Sequence, residues 1–395
     1  MKEFLEGSRA VAEIVRLCKP GVISAYPITP QTHIVEELAQ MVADGELNSQ
    51  FVNVESEHSA ASVVLGAVAT GVRAFTATSS QGLLYMAEVL FNISGMRLPL
   101  VMTCANRAIS APINIWNDQQ DSVSLRDSGW IQLYAENNQE VIDFHLLGYR
   151  LSEDKSIMLP VMVCMDGFIL THGMEAVDMP QQDQVDKFLP PYKPLYKLDT
   201  AEPLTMGPLA DPDCYLEARF AIQETFKDVL KKIPEICAEF KSQFGRDYKD
   251  GLVEEYYIKD AEKVIVAMGS VCGTIKEAVD AQRAKGKKVG LLKIISYRPF
   301  PYSRVYDMLK DVPKVAVLDK AVSLGAYAPL AVEIKAAFFG KKKTPKIISS
   351  FVAGLGGRDI TLESIRDIFA KLNQKEVNLE FIDLKPELLK EAYGE

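Results

Sequence analysis

The sequence lacks most of what would build a metal cluster or a nucleotide fingerprint. Its cysteines, Cys18, Cys104, Cys164, Cys214, Cys237 and Cys272, are scattered with no C-x-x-C pair. That spacing excludes a typical iron–sulfur or zinc site within this chain alone. Most of them, like Cys164 in VMVCM, lie in apolar surroundings and read as small core residues of a reducing compartment. Histidine is scarce, at His33, His58, His145 and His172 only. No multi-histidine site is expected, and no metal ligand is assigned to the chain. G-x-x-x-x-G-K-[ST], H-E-x-x-H and G-x-S-x-G are all missing. GLGGRD (Gly354–Asp359) has glycines before a helix but not the G-x-G-x-x-G spacing, and a tight turn is its reading. Cations are outnumbered, with a net charge of −9, so a nucleic-acid surface is excluded. The one dense basic run, Lys341–Lys343, reads as a solvated loop. No apolar run is long enough to span a bilayer, and MKEFLEGSRA has no apolar core of a secretory signal. A cytoplasmic protein with no membrane partner is the expectation.

What is present is an alternation of short apolar runs and helical stretches, in 395 residues that fit at least two domains. GVISAY, QFVNV, RAFTAT, LPLVMTC and IMLPVMVCM read as strands, several of them apolar on both faces. Helices are expected near Thr32–Asp44, His58–Thr70, Gln81–Ser94 and Gln139–Leu151. Such a pattern makes a parallel sheet covered on both sides, with function at the turns beyond the carboxyl ends of the strands. After Gly173, MPQQDQVDKFLPPYKPLYKLDTAEP reads as an extended, proline-rich connector. A helical arm over Asp213–Phe244 follows, with Leu216, Phe220, Val229, Ile233, Cys237, Phe240 and Phe244 near one face. Pro234 is expected to kink or split it, and the arm to pack across a domain or subunit boundary. Near Glu262 a second α/β unit starts, with strands KVIVAMG, KVGLLKI, KVAVLD and KIISSFV. The fold class is therefore α/β with two doubly wound domains, residues 1–255 including connector and arm, and residues 256–395.

Turns of the first domain carry the polar chemistry. In Tyr26-Pro27-Ile28-Thr29-Pro30, two prolines stiffen Thr29 at the end of a strand. Thr29 reads either as a helix-entry cap or as a rigid hydroxyl that orients a substrate. In FVNVESEHSAASVV, Glu55 and Glu57 read as helix first-turn charges. The small residues that follow (Ser59, Ala60, Ala61, Gly66) also permit a buried acid pressed against a partner. In TATSSQGL, Ser79 and Ser80 end a strand and Gln81-Gly82 opens a helix, so capping and ligand binding are both open. Arg107 follows LPLVMTC directly, as a fork for a carboxylate or half of a structural ion pair. Asn117, Asp118, Gln119, Gln120 and Asp121 form a polar loop after Trp116, and solvation is its plain reading.

Taken in order and spacing, YPITP, ESEHSA, FTATSSQGL and SAPINIWND make a more specific signal than any one of them. With GWIQLYAENNQE, YRPFP (read as part of the second domain) and GLGGRD, the chain resembles the α subunits of multi-subunit pyruvate:ferredoxin oxidoreductases, in the 2-oxoacid:ferredoxin oxidoreductase family. The resemblance covers nearly the whole length. It implies a domain that grips the aminopyrimidine of thiamine diphosphate, followed by a transketolase C-terminal-like domain. It also implies partners. A β subunit would carry the diphosphate-binding domain with Mg2+; γ and δ subunits, separate or fused, would bring [4Fe–4S] clusters; and ferredoxin would accept the electrons. The G-D-G…N motif for magnesium diphosphate is missing here, the nearest fragment being Met165-Asp166-Gly167.

By position, the resemblance gives Glu57 the hydrogen bond to the pyrimidine ring nitrogen. It places Pro27, Ile28 and Thr29 at the cofactor. Thr29 and Arg107 are assigned to the substrate's oxo and carboxylate groups, and Glu57, Thr29 and Arg107 together are the catalytic set. Ser80, Gln81, Asn117, Asp118 and Asp121 are secondary site candidates; Glu55 receives no role. The implied reaction is the reversible oxidative decarboxylation of pyruvate to CO2 and acetyl-CoA, coenzyme A being the co-substrate. Gln31-Thr32 stands where many relatives have Ser-Ser or Ser-Thr. Rival readings are a branched-chain 2-oxoacid or 2-oxoglutarate as substrate, and a non-catalytic transketolase-like scaffold. A nicotinamide-dependent dehydrogenase would need a dinucleotide fingerprint that is not found.

Overall fold

Strands with every residue buried need cover on both faces, and β-runs of that kind organise this chain. A computed structural model describes residues 2–393. The chain forms two units, Met1–Glu254 together with Ile294–Pro301, and Glu255–Lys293 together with Tyr302–Glu395. It opens with β1 (Lys2–Glu6), α1 (Gly7–Cys18), β2 (Val22–Ile23), α2 (Thr32–Ala43), β3 (Gln50–Phe51), α3 (Glu57–Ala69) and β4 (Ala74–Thr78). There follow α4 (Ser80–Tyr85), α5 (Ala87–Gly95), β5 (Val101–Asn106), α6 (Gln120–Ser124), β6 (Ile131–Tyr134), α7 (Asn138–Ser152) and β7 (Val161–Asp166). Next are β8 (Met174–Asp178), α8 (Gln182–Phe188), α9 (Tyr215–Phe244), β9 (Val253–Tyr256), β10 (Lys263–Ala267), α10 (Val271–Arg283), β11 (Val289–Ile294) and β12 (Ser296–Arg298). Last come α11 (Tyr302–Leu309), β13 (Lys314–Asp319), α12 (Pro329–Ala337), β14 (Ile347–Val352), α13 (Leu362–Lys371), β15 (Glu380–Phe381) and α14 (Pro386–Tyr393).

In the first unit a seven-stranded sheet runs β12-β6-β7-β5-β4-β2-β3. All its pairings are parallel except β12 against β6. Every residue of β4, β5, β6 and β7 is buried. Val101, Ile131, Val161 and Val163 share one core with Ala10, Ile14, Val15, Val141 and Phe144 of α1 and α7. Each such aliphatic side chain contributes roughly 1.5–3 kcal/mol. α3 packs on β4 and on α5 through Ala60, Ala61, Val64 and Val68, small enough to bring its backbone close.

The second unit carries a sheet in the order β15-β14-β13-β10-β11-β9. Its β10, β11, β13 and β14 are parallel, and Ile265, Leu291, Ala316, Leu318 and Phe351 centre its core with α10 and α13.

Several local expectations need correction. The helix foreseen over Gln81–Ser94 is two, α4 and α5, divided at Met86, although Met86 N–H still bonds Gly82 C=O at 3.1 Å. The connector contains α8, begun by a capping box between Gln181 and Gln184 and anchored by buried Val185 and Phe188. In α9, Leu216 and Phe220 are exposed, and burial begins at Ile222. Pro234 does not split that helix. An interior proline costs about 3 kcal/mol, but Val229, Ile233, Ile236, Cys237 and Phe240 around it are all buried. At roughly 1.5–3 kcal/mol each their burial outweighs it. YRPFP lies outside the second unit, since Ile294–Pro301 belongs to the first and β12 pairs with β6.

Candidate active site

The strand order turns between β2 and β4: from β2 the chain goes to β3 on one side, then crosses to β4 on the other. At such a switch point the loops after neighbouring strands part and leave a crevice beyond the carboxyl ends. The loop after β2 holds Thr29, the turn after β3 holds Glu57, the turn after β4 holds Ser80, and β5 ends just before Arg107. The main catalytic candidates thus follow strands of one contiguous run, β5-β4-β2-β3.

Glu57 is the first residue of α3, and Ser56 is the cap, its side chain accepting from Ser59 N–H at 3.3 Å. The dipole of α3 favours a carboxylate there, but a plain first-turn charge would face water, and Glu57 is 9% exposed. Its carboxylate is pressed onto Gly82 in α4. A Cβ at position 82 would lie 2.6 Å from Glu57 Oε1 and 2.6 Å from Thr78 Oγ1. Gly82 therefore provides space rather than an unusual backbone. Glu55 lies before the cap, exposed, and accepts a hydrogen bond from Ser59 Oγ. That bond holds its carboxyl below the usual range.

Arg107 and Thr29 meet directly. Arg107 Nη1 donates to Thr29 C=O at 2.9 Å, and Nε donates to Asn114 C=O at 2.9 Å. Arg107 is buried, and burial lowers its pKa against the opposing pull of Asp121. No carboxylate accepts from its guanidinium in these bonds, so the structural ion pair foreseen as its alternative is not the arrangement found. Thr29 is exposed and caps nothing: α2 starts at Thr32, with Gln31 at the cap position. Pro27 is exposed too, and Ile28 half-buried.

Asp121 is the hub that ties two of these turns together. Fully buried, it accepts from Ser80 N–H (2.9 Å), Arg107 N–H (2.9 Å), Ser122 N–H (2.7 Å) and Asn106 Nδ2 (2.8 Å). Burial pushes its pKa up to about 6, against those bonds. Ser80 has φ +49°, a left-handed conformation that costs a non-glycine residue about 1–2 kcal/mol. The bond to Asp121 and that from Ser80 Oγ to Ala108 C=O hold it there. Asp118 is buried and accepts from Gln120 N–H at 3.0 Å, while buried Asn117 reaches Asn106 C=O at 3.5 Å. The polar loop is therefore a buried brace and not a solvated one.

Two contributors were not singled out from sequence as site residues. Gln31 is buried, donates from Nε2 to Ala77 C=O at 2.7 Å and accepts Ile28 N–H at 3.2 Å, pinning the Thr29 loop to the end of β4. Asn106 joins Asp121 to Ser122. No motif marks either; only the place at the end of a strand could have. Gly167 has a packing role, since a Cβ there would lie 2.5 Å from Asn106 C=O and 2.6 Å from Pro30 Cγ.

Among the described residues, Thr78 Oγ1, Gln81 Nε2 and Asn106 Oδ1 are buried without a hydrogen-bond partner. Unpaired buried polar atoms cost free energy, so their grouping at the ends of β4 and β5 suits a polar ligand. Together with the bare Gly82 under Glu57, they fit a heteroaromatic ring with nitrogen donors and acceptors, such as an aminopyrimidine.

Comparison with known proteins agrees. Residues 13–237 match the family model "Pyruvate flavodoxin/ferredoxin oxidoreductase, thiamine diP-bdg", and residues 261–365 match "Pyruvate:ferredoxin oxidoreductase core domain II". A pyruvate synthase subunit PorA of Methanothermobacter thermautotrophicus is 50% identical over 98% of this chain and 99% of its own. The subunit of that name from Thermotoga maritima is 50% identical over 92% of each chain. A ketoisovalerate oxidoreductase subunit VorA of Pyrococcus abyssi is 44% identical over 93% of this chain and 92% of its own. Among solved structures, a 2-oxoglutarate:ferredoxin oxidoreductase from Magnetococcus marinus superposes with a TM-score of 0.70 at 20% identity, over 94% of this chain and 65% of that longer one. A split-gene transketolase superposes at 0.54 with 11% identity, over 93% of this chain and 95% of its own. Both likenesses concern the fold.

Proposed function

The chain belongs to the pyruvate:ferredoxin oxidoreductase family as an α subunit, and on that premise we propose how its residues serve the oxidative decarboxylation of pyruvate. Thiamine diphosphate, when bound, supplies the electron sink that loss of CO2 from a 2-oxoacid requires. Glu57 would hold the aminopyrimidine through a hydrogen bond to its ring nitrogen, in a water-poor site where such a bond is strong. The observation that carries this reading is Glu57, 9% exposed, with its carboxylate seated on a glycine that leaves it room. Pro27, Ile28 and Thr29 would contact the cofactor. Thr29 Oγ1 and the Arg107 guanidinium take the substrate's oxo and carboxylate oxygens, Arg107 already being anchored through Thr29 C=O. Gln81 offers its amide nitrogen to the same crevice, while Ser80, Asn117, Asp118 and Asp121 set its shape.

The remaining components belong to partner chains. A β subunit brings the diphosphate site with Mg2+, and γ and δ subunits bring [4Fe–4S] clusters that pass electrons singly to ferredoxin. Coenzyme A accepts the acetyl group. Among the described residues no helix is long and apolar enough to cross a membrane, and we place the complex in the cytoplasm. Higher identity to the pyruvate synthase subunits than to the ketoisovalerate relative favours pyruvate as substrate.

The test is pyruvate- and CoA-dependent reduction of a viologen dye by the natively purified complex. Pyruvate should react faster than 2-oxoisovalerate or 2-oxoglutarate, and the reverse order would reject the substrate assignment. Glu57→Gln should lower turnover by about 10²–10⁴-fold, the range for removing a positioned acid–base group. Near-normal turnover in an intact complex would leave a scaffold role as the better reading.

A further inference from the structure

Three residues far apart in sequence converge at the edge of the first unit. Glu6 ends β1, His33 is the second residue of α2, and His172 follows the turn after β7. His33 Nδ1 lies 2.7 Å from Glu6 Oε1, and the rings of His33 and His172 stack at 4.7 Å between centroids with a tilt of 39°. One ligand atom from each of the three residues lies within 4.8 Å of the other two.

The second imidazole is oriented by its own surroundings. His172 Nδ1 is 2.7 Å from Thr171 Oγ1, and that buried oxygen accepts Phe168 N–H at 2.8 Å. A hydroxyl held this way fixes the ring and leaves Nε2 for a ligand, as outer partners of metal-bound histidine do. Phe168 also packs on the His172 ring, at 4.7 Å between centroids.

We propose that Glu6, His33 and His172 form a binding site for a divalent transition-metal ion, with Zn2+ the best match. Two imidazole nitrogens and a carboxylate are a borderline donor set that suits zinc, cobalt or nickel better than magnesium or calcium. Zinc bonds of about 2.0–2.2 Å require these donors to readjust around the ion, and the exposed His33 and part-buried Glu6 have the room to do so. The ion would tie β1, the first turn of α2 and the loop after β7 to one another. That clip lies three residues beyond Pro30 on one arm. On the other, it bears on Phe168, whose ring is 6.4 Å from Trp116 in the polar loop. The scarcity of histidine gave no hint of it, because His172 lies more than a hundred residues from Glu6 and His33 and meets them only in the fold.

The full chain, freed of metal with a chelator, is titrated with Zn2+ in a calorimeter and with Co2+ by visible absorption. One equivalent should bind, the thermal midpoint should rise, and His172→Gln or Glu6→Gln should weaken binding at least tenfold. Absence of saturable binding, or equal binding by wild type and both variants, would overturn the site. Should a variant fail to fold, the zinc absorption edge of the wild-type protein decides. Two imidazoles with oxygen donors support the proposal, whereas a sulfur donor would point to the exposed Cys214 and reject it.

Discussion

Gly82 and Glu57 show how much a single absent methyl group can govern. Gly82 has no left-handed backbone to excuse it, and what it provides is room for the Glu57 carboxylate and the Thr78 hydroxyl. Gly82→Ala should therefore leave the fold intact and push Glu57 from its place by about an ångström, a shift that can cost about 100-fold in rate. Turnover measured on a complex of normal assembly and melting temperature checks this, and unchanged turnover would mean that Gly82 does not position Glu57. At this scale the sequence pointed to the turns that follow strands, where Thr29 and Glu57 stand and where Arg107 directly follows β5. It was unreadable where a role depends on burial. Asp121 looks like any loop acid until its carboxylate is found receiving N–H groups from Ser80, Arg107 and Ser122.

Among elements, the long apolar strands and amphipathic helices were legible because burial imposes their periodicity. Helix starts were legible where a cap residue marks them, as Asn137 does for α7 by accepting Glu140 N–H at 2.9 Å. The split at Met86 was hidden because no glycine or proline accompanies it. In the second unit, β13 and α12 share a device with a measurable consequence. Asp319 ends β13 fully buried and accepts Leu330 N–H at 2.7 Å and Ala331 N–H at 3.2 Å at the start of α12. Burial nevertheless raises its pKa from 3.8 to about 7. Below pH 3.8 both folded and unfolded states are protonated, and the group is neutral in its effect. Between 3.8 and 7 the unfolded chain releases the proton while the folded one keeps it, so stability falls as pH rises. Above 7 the full cost is present, on the order of 4 kcal/mol. Asp319→Asn keeps an acceptor and removes the titration. The stability of wild type relative to this variant should thus decline from pH 4 to 7 and then level off. Denaturant melts at several pH values measure it, and parallel curves for the two proteins would contradict the assignment.

The whole chain departs most from its linear reading at residues 294–301. YRPFP follows β11 of the second unit and carries no signal of leaving it, yet β12 pairs antiparallel with β6 on the edge of the first sheet. Tyr297 is fully buried and meets Tyr134 edge-on at 5.9 Å, and Ile295 N–H bonds Leu252 C=O at 3.0 Å. A strand that completes a sheet from outside its own stretch of sequence cannot be found from periodicity, because three residues have too little of it. The physical consequence is that a cut at 254/255 removes part of the first unit. The fragment 1–254 would expose the edge of β6 and leave the space of a buried tyrosine, a loss comparable to the 3–5 kcal/mol typical of deleting a large aromatic side chain. It should melt well below the corresponding transition of the full chain. Adding a peptide of residues 294–301 in excess should raise its midpoint, because a ligand that binds only the folded state stabilises it. The same peptide carrying Tyr297→Ala should do so weakly or not at all. If the fragment alone melts with the full chain, or if both peptides act equally, β12 is a passenger on the sheet and not one of its structural members.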